Sequence, residues 1–379
     1  MALIKLNTRS IPDNAVTPAK ISANLGRRNM IINGAMQHEQ RGSFVISTTG
    51  SPEYGGPDRF HMWSYTSAEQ VVAEISKSTA GGTPTGFANT YRIDVTTAES
   101  SVAADEALVF AQYIEAQDCQ HLEYGTSDAK SVTVSFWIKT SVTGTYCFFL
   151  QNDDGDRIQV KEYTVSSANT WEKKIITIPG DVSGTINNDT GRGLWCGWVL
   201  MAGTNRTGSK DAWRTTGADY ATSNQVNAVN NAANNIYFTG VQLEVGDTAT
   251  EFEHRTSAEE LRLCQRYFFT PAPLGFQHGY IGPITSASSS VAISLITYPV
   301  AMRSAPALAI TNPTNDSYRY RSNNGSINAN SNTNPSIGNT TIYNCRLDWT
   351  GFSGLTANTS GCVTQGNGTN GYFGFTAEL

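Results

Sequence analysis

IYFTGVQLEVGDTATEFEHRTSAEELRLCQRYFF, residues 236–269, decides how the chain is read. Ile236, Phe238, Val241, Leu243 and Val245 place apolar side chains close to every second position, the period of a strand with one buried face. Gly246-Asp247 breaks that run, and a second extended piece leads to Arg255. Thr256 and Ser257 are each followed three residues later by a carboxylate, Glu259 and Glu260, the reciprocal cap that satisfies the free amides of a helix start. A short helix is predicted there, with Leu261, Cys264 and Tyr267 or Phe268 on one apolar face at spacings of three and four. Such a face needs a surface to pack on, so the helix reads as a splint between two folded units.

Composition sets the class. A chain of 379 residues exceeds one ordinary sandwich and predicts two or three domains. Charged residues make up 15% and glycine alone counts 34, a balance that suits short strands joined by many turns. The expected fold class is all-β. A net charge of -6 and no cluster of Lys and Arg argue against nucleic acid as a partner, because neutralising a phosphate backbone takes grouped cations. MALIKLNTRSIPDNAV lacks the apolar centre of a signal peptide, and no run approaches the roughly 18 apolar residues of a membrane helix. The expectation is a chain made in a cytoplasm, with no membrane insertion. Cys119, Cys147, Cys196, Cys264, Cys345 and Cys362 stand far apart, with no CxxC and no histidine at ligand spacing, and read as small buried thiols.

In residues 1–26, Leu3, Ile4, Leu6, Ile11, Val16 and Ile21 recur mostly at steps of five, and Pro12 and Pro18 forbid a continuous helix. So short an apolar segment cannot bury itself, and the reading is an extended arm for attachment or oligomerisation. Residues 27–255 read as one large β-sandwich. NMIINGAMQ is its expected first strand, with Asn33-Gly34 a turn or bulge signal, and SVTVSFWIKT alternates Val132, Val134, Phe136 and Ile138. TGTYCFFLQNDDGDRIQVKEYTV reads as a hairpin with Asp154-Gly155 at its tip, and TWEKKIITIPGD as an edge strand. Hairpins in series suggest a jelly roll. Residues 256–269 are the linker helix, and 270–379 a smaller C-terminal β-sandwich. Within the latter, TNPTNDSYRYRSNNGSINANSNTNPSIGNTT is nearly all Asn, Ser, Thr and Gly, and reads as a loop presented to the outside.

Wording adds to this reading. SIPDNAVTPAKI, IINGAMQ, HLEYGTSDAKSVTVSFWIK, GTYCFFLQN, NTWEKKIITIPGD, GVQLEVG, FEHR and LCQRYF resemble, in this order, bacteriophage tail-fibre and receptor-binding proteins with a jelly-roll carbohydrate-binding-like domain. More remotely they are similar to carbohydrate-binding modules of glycoside hydrolases. Several motifs in fixed order are more specific than any one of them. The resemblance implies a virion structural protein, a homotrimeric tail fibre assembled in the host cytoplasm. It implies an arm joined to another virion protein, a jelly roll that acts as a rigid spacer or lectin-like body, and a receptor-facing C-terminal domain, residues 270–379, that touches a host-surface glycan. A capsid or head fibre, a tail-nozzle adaptor and a polysaccharide depolymerase tailspike stay open as alternatives, since fold alone does not give function.

Candidate chemistry is sparse. Asp153, Asp154 and Asp156 surround one turn, where a hairpin tip competes with a calcium site. Asp58, Asp105, Glu106, Glu115, Glu244 and Glu253 are available for glycan cleavage, yet no signature pairs them. His254 is read as pinning the helix start, with Glu253, Arg255, Glu259 and Arg262 in structural ion pairs. The chain has no Walker loop, GxSxG or HExxH. The expectation is no enzyme, no cofactor and no metal. Aromatic planes suit sugar rings, so Trp195 and Trp213 in the first sandwich are candidate receptor contacts, with Trp195 and Trp198 facing opposite sides. Tyr318, Tyr320 and Arg321, next to Arg319 in the polar tract, are candidates in the second.

Overall fold

The structure is a computed structural model that describes residues 27–46, 50–65, 72–271, 279–310, 318–322, 327–331, 333–365 and 372–379. The arm residues Leu3, Ile4, Leu6, Ile11, Val16 and Ile21 lie outside them. The strands of the first unit are β1 (Phe44–Val45), β2 (Pro52–Tyr54), β3 (His61–Tyr65), β4 (Val72–Ser78), β5 (Thr90–Thr97) and β6 (Ala107–Glu115). They continue with β7 (Val132–Thr140), β8 (Gly144–Asn152), β9 (Arg157–Val165), β10 (Glu172–Ile178), β11 (Arg192–Ala202), β12 (Arg214–Thr215) and β13 (Asn235–Val245).

These strands form two antiparallel sheets, ordered β1-β4-β5-β13-β7-β10 and β12-β9-β8-β11-β6-β3-β2. The chain crosses repeatedly between the sheets, and β13 and β11 insert between strands far earlier in sequence, the interleaving of a jelly-roll sandwich. Alternation explains the layer between them. Val132, Val134, Phe136 and Ile138 all point inward and are fully buried. Phe110 lies 4.6 Å from Phe238 and 5.4 Å from Trp198, ring centre to ring centre. Each such side chain contributes on the order of 1.5–3 kcal/mol by leaving water. The β8–β9 hairpin pairs from Gly144↔Val165 to Asn152↔Arg157, and β10 is an edge strand, as the sequence predicts.

Strand β13 departs from strict alternation for a local reason. Gly240 has a φ of 61°, and the register with β7 slips between Thr239 and Gln242. A β-carbon at Gly240 would sit 2.6 Å from the Phe87 ring. This bulge absorbs one residue, so Phe238 and Val241 both face the core although three positions separate them.

NMIINGAMQ is not a strand, and the expectation of one is corrected here. It is an irregular loop whose backbone groups find side-chain partners instead of a ladder. Asn29 Oδ1 accepts from the Ile31 and Leu243 amides, and Gln112 bonds both the amide and the carbonyl of Ile32. Asn33, at a φ of 62°, accepts from the Gln37 and His38 amides and donates to the His38 and Asp58 carbonyls. Asn-Gly does make a turn, with the Met36 amide donating to the Asn33 carbonyl at 2.8 Å, but within a buried polar hub and not in a hairpin.

The helix α1 (Ser257–Gln265) forms where the cap predicts it, with Thr256 Oγ1 accepting from the Glu259 amide at 3.3 Å. Cys264, Tyr267 and Phe268 are buried, while Leu261 is only half-buried. Beyond it come β14 (Phe268–Phe269), β15 (Tyr280–Ser286), β16 (Ala292–Thr297), β17 (Ala307–Ile310), β18 (Tyr318–Ser322) and β19 (Ile327–Ser331). The last are β20 (Ser336–Thr340), β21 (Asn344–Trp349), β22 (Ser360–Gln365) and β23 (Phe373–Thr376). Sheets β14-β23-β17 and β19-β18-β22-β15-β16-β21-β20 enclose a second, smaller core that includes Trp349, Phe352, Phe373 and Phe375. The polar tract, expected as an external loop, supplies β18, β19 and β20 among its described residues. Ladder hydrogen bonds need only backbone, and Tyr318 and Tyr320 give β18 an apolar face that joins Val363 of β22 in the second core.

Buried charges join the two units. Arg266, just after α1, meets Glu115 of β6 at 2.6 Å, and the Tyr267 hydroxyl donates to the same carboxylate at 2.9 Å. In the reverse direction Glu378 pairs with Arg59 and, at 3.1 Å, with Arg41. Arg59 also lies over the Tyr267 ring at 3.4 Å, and Arg41 over Phe268 at 3.6 Å.

Candidate functional site

The face of the seven-stranded first-unit sheet that points away from the sandwich core carries its own aromatic layer. Alternation along HMWSY sends Met62 inward and Trp63 and Tyr65 outward; Tyr113 of β6, Phe149 of β8 and Trp195 of β11 share that outer face. Gly197 opens its centre, because a β-carbon there would lie 2.3 Å from the Phe149 ring. Tyr220, from the loop between β12 and β13, lies across the layer. Its ring is 5.5 Å from both Trp63 and Trp195, and 5.2 Å from Phe149.

Within this layer, exposure separates floor from ledge. Trp195, Phe149 and Tyr113 are buried. Trp63 and Tyr220 are half-buried, and Tyr65 is 43% exposed. Trp63 and Tyr65 lie nearly parallel, 5.8 Å apart with 22° between their planes. The Arg206 guanidinium sits 4.0 Å over the Tyr65 ring, held by its Nε donating to the Asp105 carbonyl at 2.7 Å. Asn205 Nδ2 bonds the Asp105 carboxylate at 3.0 Å. Two adjacent flat rings with amide, carboxylate and guanidinium groups alongside can stack on a sugar ring and hydrogen-bond its hydroxyls. At the other end, burial raises the Asp153 carboxyl above its usual range and pushes the Tyr113 hydroxyl up to about 12, with the Arg192 guanidinium opposing both.

The sequence candidates fall in different places. Trp195 and Trp198 do face opposite sides, with Trp198 inside the sandwich. Trp195 is floor, so a ligand meets Trp63 and Tyr220 before it. Trp213 belongs elsewhere: it packs on the core side, donates to the Pro179 carbonyl at 2.7 Å and meets Tyr124 edge-on. Tyr318 and Tyr320 are each 1% exposed, with hydroxyls bonded to Asn334 and to the Thr359 carbonyl. Rings so placed present no face to a receptor, which corrects their reading as contacts. Arg321 is half-buried, with Nε bonded to Thr364 Oγ1 at 3.4 Å.

Carboxylates flagged for chemistry each have structural partners. Asp58 accepts from the Gln40 amide, Glu106 from Ala103, Glu253 from Arg28 and Asn29, and Glu244 from Thr250. Around the hairpin tip, Asp153 accepts from Gln151 and Asp154 from Asn187, while Asp156 takes a φ of 49° to close the turn. No group of three or more His, Cys, Asp or Glu able to hold a metal occurs among the described residues. Arg255 pairs with Glu253 and Glu260, and Arg27 with Glu259. His254 instead packs on Phe87 and Phe252, and the histidine at the helix start is His38, whose Nε2 meets the Ser257 carbonyl at 2.8 Å.

No protein-family model and no curated protein matches the chain. Among solved structures, the enzymatically active domain of bacteriophage CBA120 tailspike protein 4 is 11% identical, at a TM-score of 0.28 over 57% of this chain and 21% of that one. A putative sugar binding protein from Bacteroides thetaiotaomicron is 10% identical, at 0.34 over 58% of this chain and 100% of that one. A family 11 carbohydrate-binding module from Clostridium thermocellum, in complex with a mixed-linked tetrasaccharide, is 13% identical, at 0.27 over 56% and 99%. The all-β, jelly-roll assignment rests on this chain's own sheets, and likeness at this level carries nothing about ligand.

Proposed function

We propose that the chain is a virion structural protein, a subunit of a homotrimeric phage tail fibre that holds a host-surface glycan by adhesion, without turnover. The Trp63–Tyr65 ledge, with the Arg206 guanidinium over the Tyr65 ring, is the observation that carries this reading: partly exposed aromatic rings bordered by amide, carboxylate and guanidinium groups offer a sugar both apolar contact and hydrogen bonds. The motif order along the chain supports its placement on a virion, with residues 1–26 joining another virion protein. Trimerisation suits weak sites, since three of them on one body gain avidity without any tight contact.

Binding of the purified full chain to host capsule or lipopolysaccharide tests it. Trp63→Ala with Tyr65→Ala is expected to lower affinity about tenfold or more per site, equivalent to ~1.4 kcal/mol, when measured well below the variant's own melting temperature, which falls because Trp63 also packs on Trp195 and Tyr220. Undiminished binding would move the site elsewhere, and release of oligosaccharides would replace adhesion with depolymerisation.

A further inference from the structure

Two hollows lie side by side where the units meet, and both are bordered by Arg27 and Leu263. One, of about 210 Å³, is lined by Met30, Ile32 and Ile114 with Asp118 and His121. The other, of about 580 Å³, lies between the Ala258, Arg262 and Leu263 side of α1 and Val300-Ala301 of the second unit. Met30, Ile32, Leu263, Val300 and Ala301 are only half-buried, so three separate segments leave apolar surface facing one groove.

Where the chain enters this groove is fixed. The Arg28 and Asn29 amides both donate to Glu253 Oε2, at 3.0 and 2.7 Å, and Arg27 pairs with Glu259 at 3.5 Å. The residues just upstream must therefore start from the groove's edge. In sequence they include Ile21 and Leu25. At roughly 3.3–3.6 Å per residue, Leu25 starts within about 7 Å of Arg27 and Ile21 within about 22 Å, so both reach the hollows without spanning the molecule.

We propose that the groove between α1, residues 30–32 and residues 300–301 is the docking surface for the apolar side chains that precede Arg27 in the same chain, Ile21 and Leu25 first. The groove and the segment answer each other's need: each carries apolar groups that neither can cover alone. Docking there would tie the arm to both units at once, because the groove takes walls from each.

Hydrogen exchange on the full-length chain tests it. Ile21→Asp with Leu25→Asp is expected to speed amide exchange at residues 258–263 and 300–301 about tenfold or more, leaving β7, β11 and β13 unchanged. Unchanged exchange at α1 overturns the proposal. In a second arm, Leu25→Cys with Leu263→Cys should form a disulfide under mild oxidation. In a mixture of isotopically heavy and light chains, that disulfide should join fragments of the same label. Mixed-label fragments would overturn the same-chain assignment, and absence of any cross-link would count against docking.

Discussion

His61 shows what one residue can cost. It is fully buried, stacks on Tyr113 at 4.5 Å, meets the tilted Tyr54 ring at 5.1 Å, and neither ring nitrogen has a hydrogen-bond partner among the described residues. Burial, with the Arg59 and Arg192 guanidinium groups nearby, lowers its pKa well below 6.5. The folded state thus keeps the ring neutral, while an unfolded histidine takes up a proton as pH falls through about 6.5. Stability present above that pH is lost below it, by about 1.4 kcal/mol per pH unit until the folded pKa is reached. Urea unfolding at pH 7.5, 6 and 5 checks this. His61→Phe should remove that part of the slope while keeping the ring stack, and an unaltered slope would place the acid sensitivity on other groups.

At the scale of elements, the loop 29–38 shows how far the sequence could be read. Its asparagines and glycine signal a turn locally, and only the folded chain reveals that their partners are residues 58, 241 and 243. A β-carbon on Gly34 would sit 2.0 Å from the Val241 carbonyl oxygen, which itself accepts from Asn29. Gly34→Ala must therefore push the loop off β13, and should cost about 2–4 kcal/mol by analogy with overpacking and a lost buried bond. Thermal melting would register this; a change under half a kcal/mol would mean that the loop yields freely. Strand β7 was legible because strict alternation is a local property, the β8–β9 hairpin because Asp154-Gly155 marks its tip, and α1 because its cap lies within four residues. The polar tract hid its strands for the opposite reason: pairing partners such as Thr364 and Asp348 lie far along the chain and leave no mark on local composition. The ledge was not legible in the sequence: Trp63 and Tyr65 lie in an ordinary strand run, and Arg206 and Tyr220 reach them from two separate connections, before and after β12, that no period foretells.

Across the whole molecule, the charges at the junction decide whether it unfolds in one step. Glu115 is fully buried and serves Arg266 and Tyr267 of the linker, while Glu378 serves Arg41 and Arg59 of the first unit. Removing one partner of such a pair costs about 3–5 kcal/mol, since the other stays buried and uncompensated. Glu378→Gln should therefore split a single calorimetric transition into two, with the second sandwich melting first. A single transition at the wild-type midpoint would show that apolar contacts alone hold the units together. The same arrangement limits how such proteins trade parts. A genetic crossover at residue 256 would leave Arg41, Arg59 and Glu115 stranded in one product and Arg266 and Glu378 in the other. Either half would then have to find matching charges in its new companion, so the two ends of this junction must be inherited as one block.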